Sequence, residues 1–136
     1  MYSEAFNLLC EILDDQQLND YIKEITGKNL TIINSGVQID TPAARIALTG
    51  GDYTRSINTN GEVNFSVAFD MPLWNDNAFE QAVDFLDYVI PIFFSYGSGL
   101  NNKNIITRAS PVIHEIDPEK DFWTITINLT IKILIS

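Results

Sequence analysis

The sequence predicts an α+β fold: an antiparallel sheet of four to five strands of mixed length, with two main helices packed over one face. Three observations predict it. Apolar residues recur at helical spacing in two separate stretches, and they alternate with polar ones in four others. The two kinds of stretch also follow one another as helix, hairpin, helix, hairpin, an order that segregates helices to one side of an antiparallel sheet. The 136 residues are 46% apolar and 19% charged, which fits one domain over residues 1–136 with an ordinary core. No internal repeat, low-complexity run or linker divides the chain.

Ser3 to Thr26 is helical by pattern, with Phe6, Leu9, Cys10 and Leu13 on one face and Leu18, Tyr21, Ile22 and Ile25 continuing it. Asp14-Asp15 interrupts the rhythm and suits the cap of a second helix, so a kink or break belongs there. Gly27 supplies the stop. Leu30 to Asn34 is a short strand candidate. Ala43 to Thr49 carries Ala44, Ile46 and Leu48 on alternate positions, and Glu62 to Phe69 does the same with Val63, Phe65, Val67 and Phe69. Asn60-Gly61 is a turn signal, so the pair reads as a hairpin with a long polar tip from Gly50 to Gly61.

Asn77, with Glu80 three residues on, has the pattern of a capping box and opens the second main helix. Phe79, Ala82, Val83, Leu86, Val89, Ile90 and Phe93 form its core face, and Pro91 is expected to kink it or end its regular part. Gly97 and Gly99 close it. The last hairpin pairs Asn104 to Ile116 with a strand whose apolar residues, from Trp123 to Ile135, fill seven consecutive odd positions. A strand that long needs partners on both sides, whereas Pro111 suits an edge strand or a bulge.

Charge and composition remove several function classes. With eight Lys and Arg against eighteen Asp and Glu, the net charge is −10, which opposes binding to a phosphate backbone. One Cys excludes an internal disulfide, and one Cys with one His excludes the common zinc constellations. No stretch reaches the roughly 18 apolar residues of a membrane span, and the N-terminus does not read as a secretory signal, so a cytosolic origin is expected.

No catalytic, cofactor or metal centre emerges. His114 has no Ser or acid tied to it by spacing, and an exposed or structural strand position explains it better. Cys10 reads as a small hydrophobe on a helix face. The acids at Asp117, Glu119 and Asp121 lack calcium-loop spacing, and Gly50-Gly51 lacks the Lys-Ser or Lys-Thr of a phosphate loop. The chain is therefore expected not to be an enzyme and to carry no cofactor.

Several stretches together resemble the tail-terminator (tail-completion) proteins of long-tailed bacteriophages and related contractile particles. They are Thr41-Pro42-Ala43-Ala44-Arg45-Ile46 running into Leu48-Thr49-Gly50-Gly51-Asp52-Tyr53, the alternation Val63-Asn64-Phe65-Ser66-Val67, the helix from Asn77 to Phe94, and Asp121-Phe122-Trp123-Thr124-Ile125-Thr126-Ile127. The resemblance spans Thr41 to Ile135. It implies a structural subunit of a ring, usually a hexamer, that caps the tail tube and ends its polymerisation. Its implied partners are further copies of itself, the tail-tube protein and the head-completion protein. Its implied place is the virion tail, assembled in the bacterial host cytoplasm. Such a ring binds no nucleic acid specifically and no membrane. Six copies at −10 each sum to −60, a charge that would repel DNA passing through the lumen, while −10 on one small protein equally serves its solubility.

Within that reading, Asp52, Tyr53, Arg55 and Ile57 of the Gly50–Gly61 tip are candidates for contact with a neighbouring subunit or the tube. Trp74, in the polar stretch before the second main helix, is a further candidate anchor, with a place in the core as its alternative role. The competing reading is a small acidic binding or inhibitor module that blocks a basic protein, with marked salt dependence. A third, an enzyme acting through His114 or a carboxylate, requires a concave pocket that gathers those groups.

Overall fold

A computed structural model describes residues 2–33, 41–54, 60–72, 77–96, 104–114 and 122–134. Among these residues three α-helices and five β-strands follow one another. The break at Asp14-Asp15 is complete, giving α1 (Tyr2–Leu13) and α2 (Gln16–Thr26) rather than one bent helix. Asp15 is the reason: its extended backbone turns the chain, and its Oδ1 accepts the Leu18 N–H at 2.9 Å as the N-cap of α2. Gly27, at φ 75°, ends α2 in the left-handed conformation and donates its N–H to the Lys23 carbonyl.

The strands are β1 (Thr31–Ile33), β2 (Ala43–Thr54), β3 (Asn60–Met71), β4 (Asn104–His114) and β5 (Trp123–Leu134), in the spatial order β1-β2-β3-β5-β4. The sheet is mixed, which corrects the expectation of an antiparallel one. β1 runs parallel to β2, pairing Thr31 with Ala43 and Ile33 with Arg45, while all other pairs are antiparallel. Three residues carry no period from which a direction can be read. β5 does have a partner on each side, and β4, which contains Pro111, lies at the edge.

The expected tip from Gly50 to Gly61 is also corrected. β2 runs on to Thr54 and β3 starts at Asn60, with Asp52 opposite Glu62 and Tyr53 opposite Gly61. A β-bulge between Leu48 and Gly50 absorbs one residue, so the ladder continues through glycines that otherwise signal an exit.

α3 (Ala78–Ser95) begins at Asn77, which makes no side-chain cap bond, so the capping box is not formed at that residue. α3 also runs through Pro91 without ending. Pro91 is exposed, where water can serve the carbonyl that its missing N–H leaves without a partner. Gly97 and Gly99 lie outside the described residues.

The core lies between the helices and one sheet face. Val63, Phe65, Val67, Phe69 and Met71 of β3 and Ile125, Ile127, Leu129, Ile131 and Ile133 of β5 are buried there. Leu9, Ile12 and Leu13 of α1, Leu18 and Ile22 of α2, and Phe85, Val89 and Phe93 of α3 are buried with them. Phe69 meets Phe85 edge-on at 5.1 Å and Phe93 at 6.5 Å, joining α3 to the middle of the sheet. α2 is held to α3 by Tyr21 stacked on Tyr88 at 4.0 Å and by the Tyr96 hydroxyl donating to Asp15.

Candidate functional site

Among the described residues no helix covers the second face of the sheet; two features lie on that face and a third at the sheet's outer edges. The first is a polar row crossing four strands, in which Gly50, Asn64, Thr130 and Arg108 are successive register partners. The two outer strands of that row each have a β-bulge beside it, at Leu48/Gly50 in β2 and Ile106/Arg108 in β4, so Thr49 and Thr107 are the extra residues. Bulges bend a strand and redirect side chains. Between them lies an open hollow of about 320 Å³ lined by Thr49, Asn64, Arg108, Ser110, Asn128, Leu129 and Thr130. Within it, Thr130 Oγ1 donates to Asn64 Oδ1 at 3.0 Å.

The second feature anchors one end of this face. Asp70 is 3% exposed and receives Arg45 through two bonds of 2.9 Å, from Nε to Oδ2 and from Nη2 to Oδ1. Thr124 Oγ1 adds a third at 2.9 Å. A carboxylate held on both oxygens by a guanidinium fork and a hydroxyl is fully engaged, so this cluster fixes β2, β3 and β5 together rather than offering a reactive group.

The third feature is the pair of outer edges. β1 covers β2 only over Ala43–Arg45, so among the described residues Ile46–Thr54 has no strand on the side away from β3. The far side of β4 is likewise open along Asn104–His114. The two edges lie on opposite sides of the sheet and differ in character. From Ala47 to Gly51, β2 has neither charge nor proline, and Leu48 is 55% exposed. β4 carries Arg108 and Pro111, which natural proteins use to blunt an edge. Exposed Phe79, Val83 and Phe94 form a stripe along α3, within about 60° of one another on the helical wheel.

Charge is distributed unevenly. α1, α2 and the turn between them carry Glu4, Glu11, Asp14, Asp15, Asp20 and Glu24, and α3 carries Glu80, Asp84 and Asp87. Against these nine carboxylates those elements have only Lys23. By register, the open sheet face sets Arg45, Arg108 and Lys132 against Asp70, Glu62 and Asp52 among the described residues.

Of the residues named from the sequence, Asp52 and Tyr53 stand in the β2 ladder, whereas Arg55, Ile57 and Trp74 lie outside the described residues. His114 is exposed and pairs across the strands with Thr124. Cys10 is half-buried, and burial pushes its thiol above the ordinary value. No group of three or more His, Cys, Asp or Glu suited to a metal occurs among the described residues. There, too, no helix is long and apolar enough to cross a membrane. Sequence reading missed the hollow and the Arg45–Asp70 pair. The outward positions of β3 and β5 were legible, but the two bulges that gather Thr49 and Arg108 toward them leave no periodic mark.

Neither a protein-family model nor a curated protein matches the chain.

Proposed function

We propose that this protein is a structural ring subunit, a tail-terminator-like assembly protein that caps a tube and ends its growth, without catalysis or cofactor. One observation carries the proposal: the sheet has two long open edges of different character on opposite sides. A contact between unlike surfaces of identical subunits is heterologous, and it generates a ring whenever the rotation between neighbours closes. Pairing the β2 edge of one copy, uncharged from Ala47 to Gly51, with the β4 edge of the next partners backbone groups of both strands, except at Pro111, which has no N–H to give. It also covers Leu48, whose apolar side chain otherwise faces water. The α3 stripe of Phe79, Val83 and Phe94 supplies apolar area for a neighbour or for the tube. In this reading the tail-tube and head-completion proteins are the partners, and the virion tail is the place.

Leu48→Lys tests the reading, because a charge on the open edge blocks strand addition while the exposed site tolerates the longer side chain. The expected result is loss of the oligomer with an unchanged circular dichroism spectrum. An oligomer that persists undiminished in the variant contradicts the β2 edge as the contact.

The acidic inhibitor reading rests on a different observation, the nine carboxylates of the helical elements against Lys23. It requires a monomer at every concentration and a basic protein partner whose affinity falls steeply with salt.

A further inference from the structure

We infer that the hollow on the open sheet face is a receptor for a single carboxylate, presented by an Asp or Glu side chain of a partner protein. The inference goes beyond the ring proposal and does not depend on it.

The hollow holds one full charge, the Arg108 guanidinium, which is exposed and makes no ion pair among the described residues. The other lining groups are the hydroxyls of Thr49, Ser110 and Thr130, the carboxamides of Asn64 and Asn128, and Leu129. A planar guanidinium fork matches a carboxylate through two parallel bonds. A lone cation among neutral groups suits a monoanion, whereas a phosphate dianion calls for a second positive charge.

The neutral groups add direction. Asn64 accepts the Thr130 hydroxyl on Oδ1, which turns that oxygen toward Thr130 and leaves the NH₂ end able to donate. Asn128 and the Thr49 and Ser110 hydroxyls add donors around Arg108, and donors are what the carbonyl oxygens flanking an acidic residue in a peptide require. No aromatic ring lines the hollow, so there is no platform on which a sugar ring could stack. Charge complementarity points the same way. Among the described residues the open face is the less acidic side of a chain whose helical elements are strongly negative, so an acidic segment meets less repulsion here than at the helices.

The two bulges make the hollow a shaped site. Without the extra residue at Thr49 and the one at Thr107, the row Gly50–Asn64–Thr130–Arg108 would continue a regular pleat.

The test is an amide chemical-shift titration of the full chain with a terminally blocked Thr-Glu-Thr peptide. Parallel arms use the Thr-Gln-Thr peptide, glucuronate and inorganic phosphate. The expected result is saturable shifts at Thr49, Asn64, Arg108, Ser110, Asn128 and Thr130 with the Glu peptide, in the ~10 mM range of a single-site ion pair, and none with the Gln peptide. Arg108→Gln is expected to weaken the Glu peptide at least ~10-fold, about 1.4 kcal/mol, with the rest of the spectrum superimposable. Ser110→Ala, a milder change, is expected to weaken it ~2–5-fold, the scale of one neutral hydrogen bond. Equal shifts with the Gln peptide, or shifts that survive Arg108→Gln, overturn the carboxylate assignment. Tighter binding of glucuronate than of the Glu peptide overturns the assignment to a protein partner, and tighter binding of phosphate overturns the monoanion argument.

Discussion

Asp15 does two jobs with one carboxylate. Oδ1 caps α2 through the Leu18 N–H, and Oδ2 accepts the Tyr96 hydroxyl at the end of α3. Burial works to raise its pKa, but the bonds from Tyr96, Leu18 and Gln17 outweigh that and hold it below the ordinary carboxylate value. Its contribution to stability is therefore present above the unfolded value of about 3.9 and is lost as pH falls through the lower folded value. Tyr96 shows the opposite sign. Its bond to Asp15, then burial and the nearby acids, push the phenol up to about 12. Stability from Tyr96 is complete below the unfolded value of about 10 and is lost as pH rises through the folded one. A tyrosinate absorbance titration is expected to show Tyr21 and Tyr96 ionising late, with Tyr96→Phe removing the phenol near 12 and leaving that of Tyr21. Asp15→Ala is expected to cost about 1 kcal/mol by urea denaturation, the value of an N-cap. The same-scale contrast between Arg45 and Asp70 is sharper. Removing half-exposed Arg45 strands a carboxylate that is 3% exposed, at about 2–3 kcal/mol. Asp70→Ala instead releases Arg45 to water, at about 1 kcal/mol. The more exposed partner is expected to be the costlier loss in denaturant melts.

At the scale of elements, the strongest period was the most legible. From Trp123 to Ile133 apolar and polar residues alternate without a break, and this run lies in β5, with a strand on each side. Pro111 marked an edge because a proline cannot give its N–H to a neighbour, and β4 is that edge. The misreadings have a common physical origin: local signals report local preference, and pairing overrode them. Gly50, Gly51, Asn60 and Gly61 all favour turns, yet β3 holds each of them in the ladder, with a bulge taking up the misfit. Gly51 has a further use, since a Cβ there would lie 2.6 Å from the Tyr2 hydroxyl of α1. Tyr2 ends a flexible side chain, so Gly51→Ala is expected to cost under about 1 kcal/mol. Phe69→Ala removes the ring that meets both Phe85 and Phe93 and is expected to cost about 3–5 kcal/mol in the same assay. The hollow was not legible, because residues from four strands enter it and only the register brings Thr49 to Arg108.

At the scale of the whole molecule, charge and shape make separate demands. A net charge of −10 per copy makes copies repel one another, while two unlike open edges favour their joining. The balance depends on ionic strength, because long-range repulsion fades beyond about 8 Å at physiological salt and backbone pairing does not. Assembly is therefore expected to strengthen as salt is raised from low to moderate concentration, the reverse of an acidic inhibitor gripping a basic target. The most direct measurement is absolute mass by light scattering across protein concentration and salt, with negative-stain images of the same samples. The account predicts a closed ring with a central hole, of about 92 kDa for six copies of a 15.3 kDa chain. A monomer that stays monomeric at high concentration and moderate salt, with no ring in any field, would contradict it.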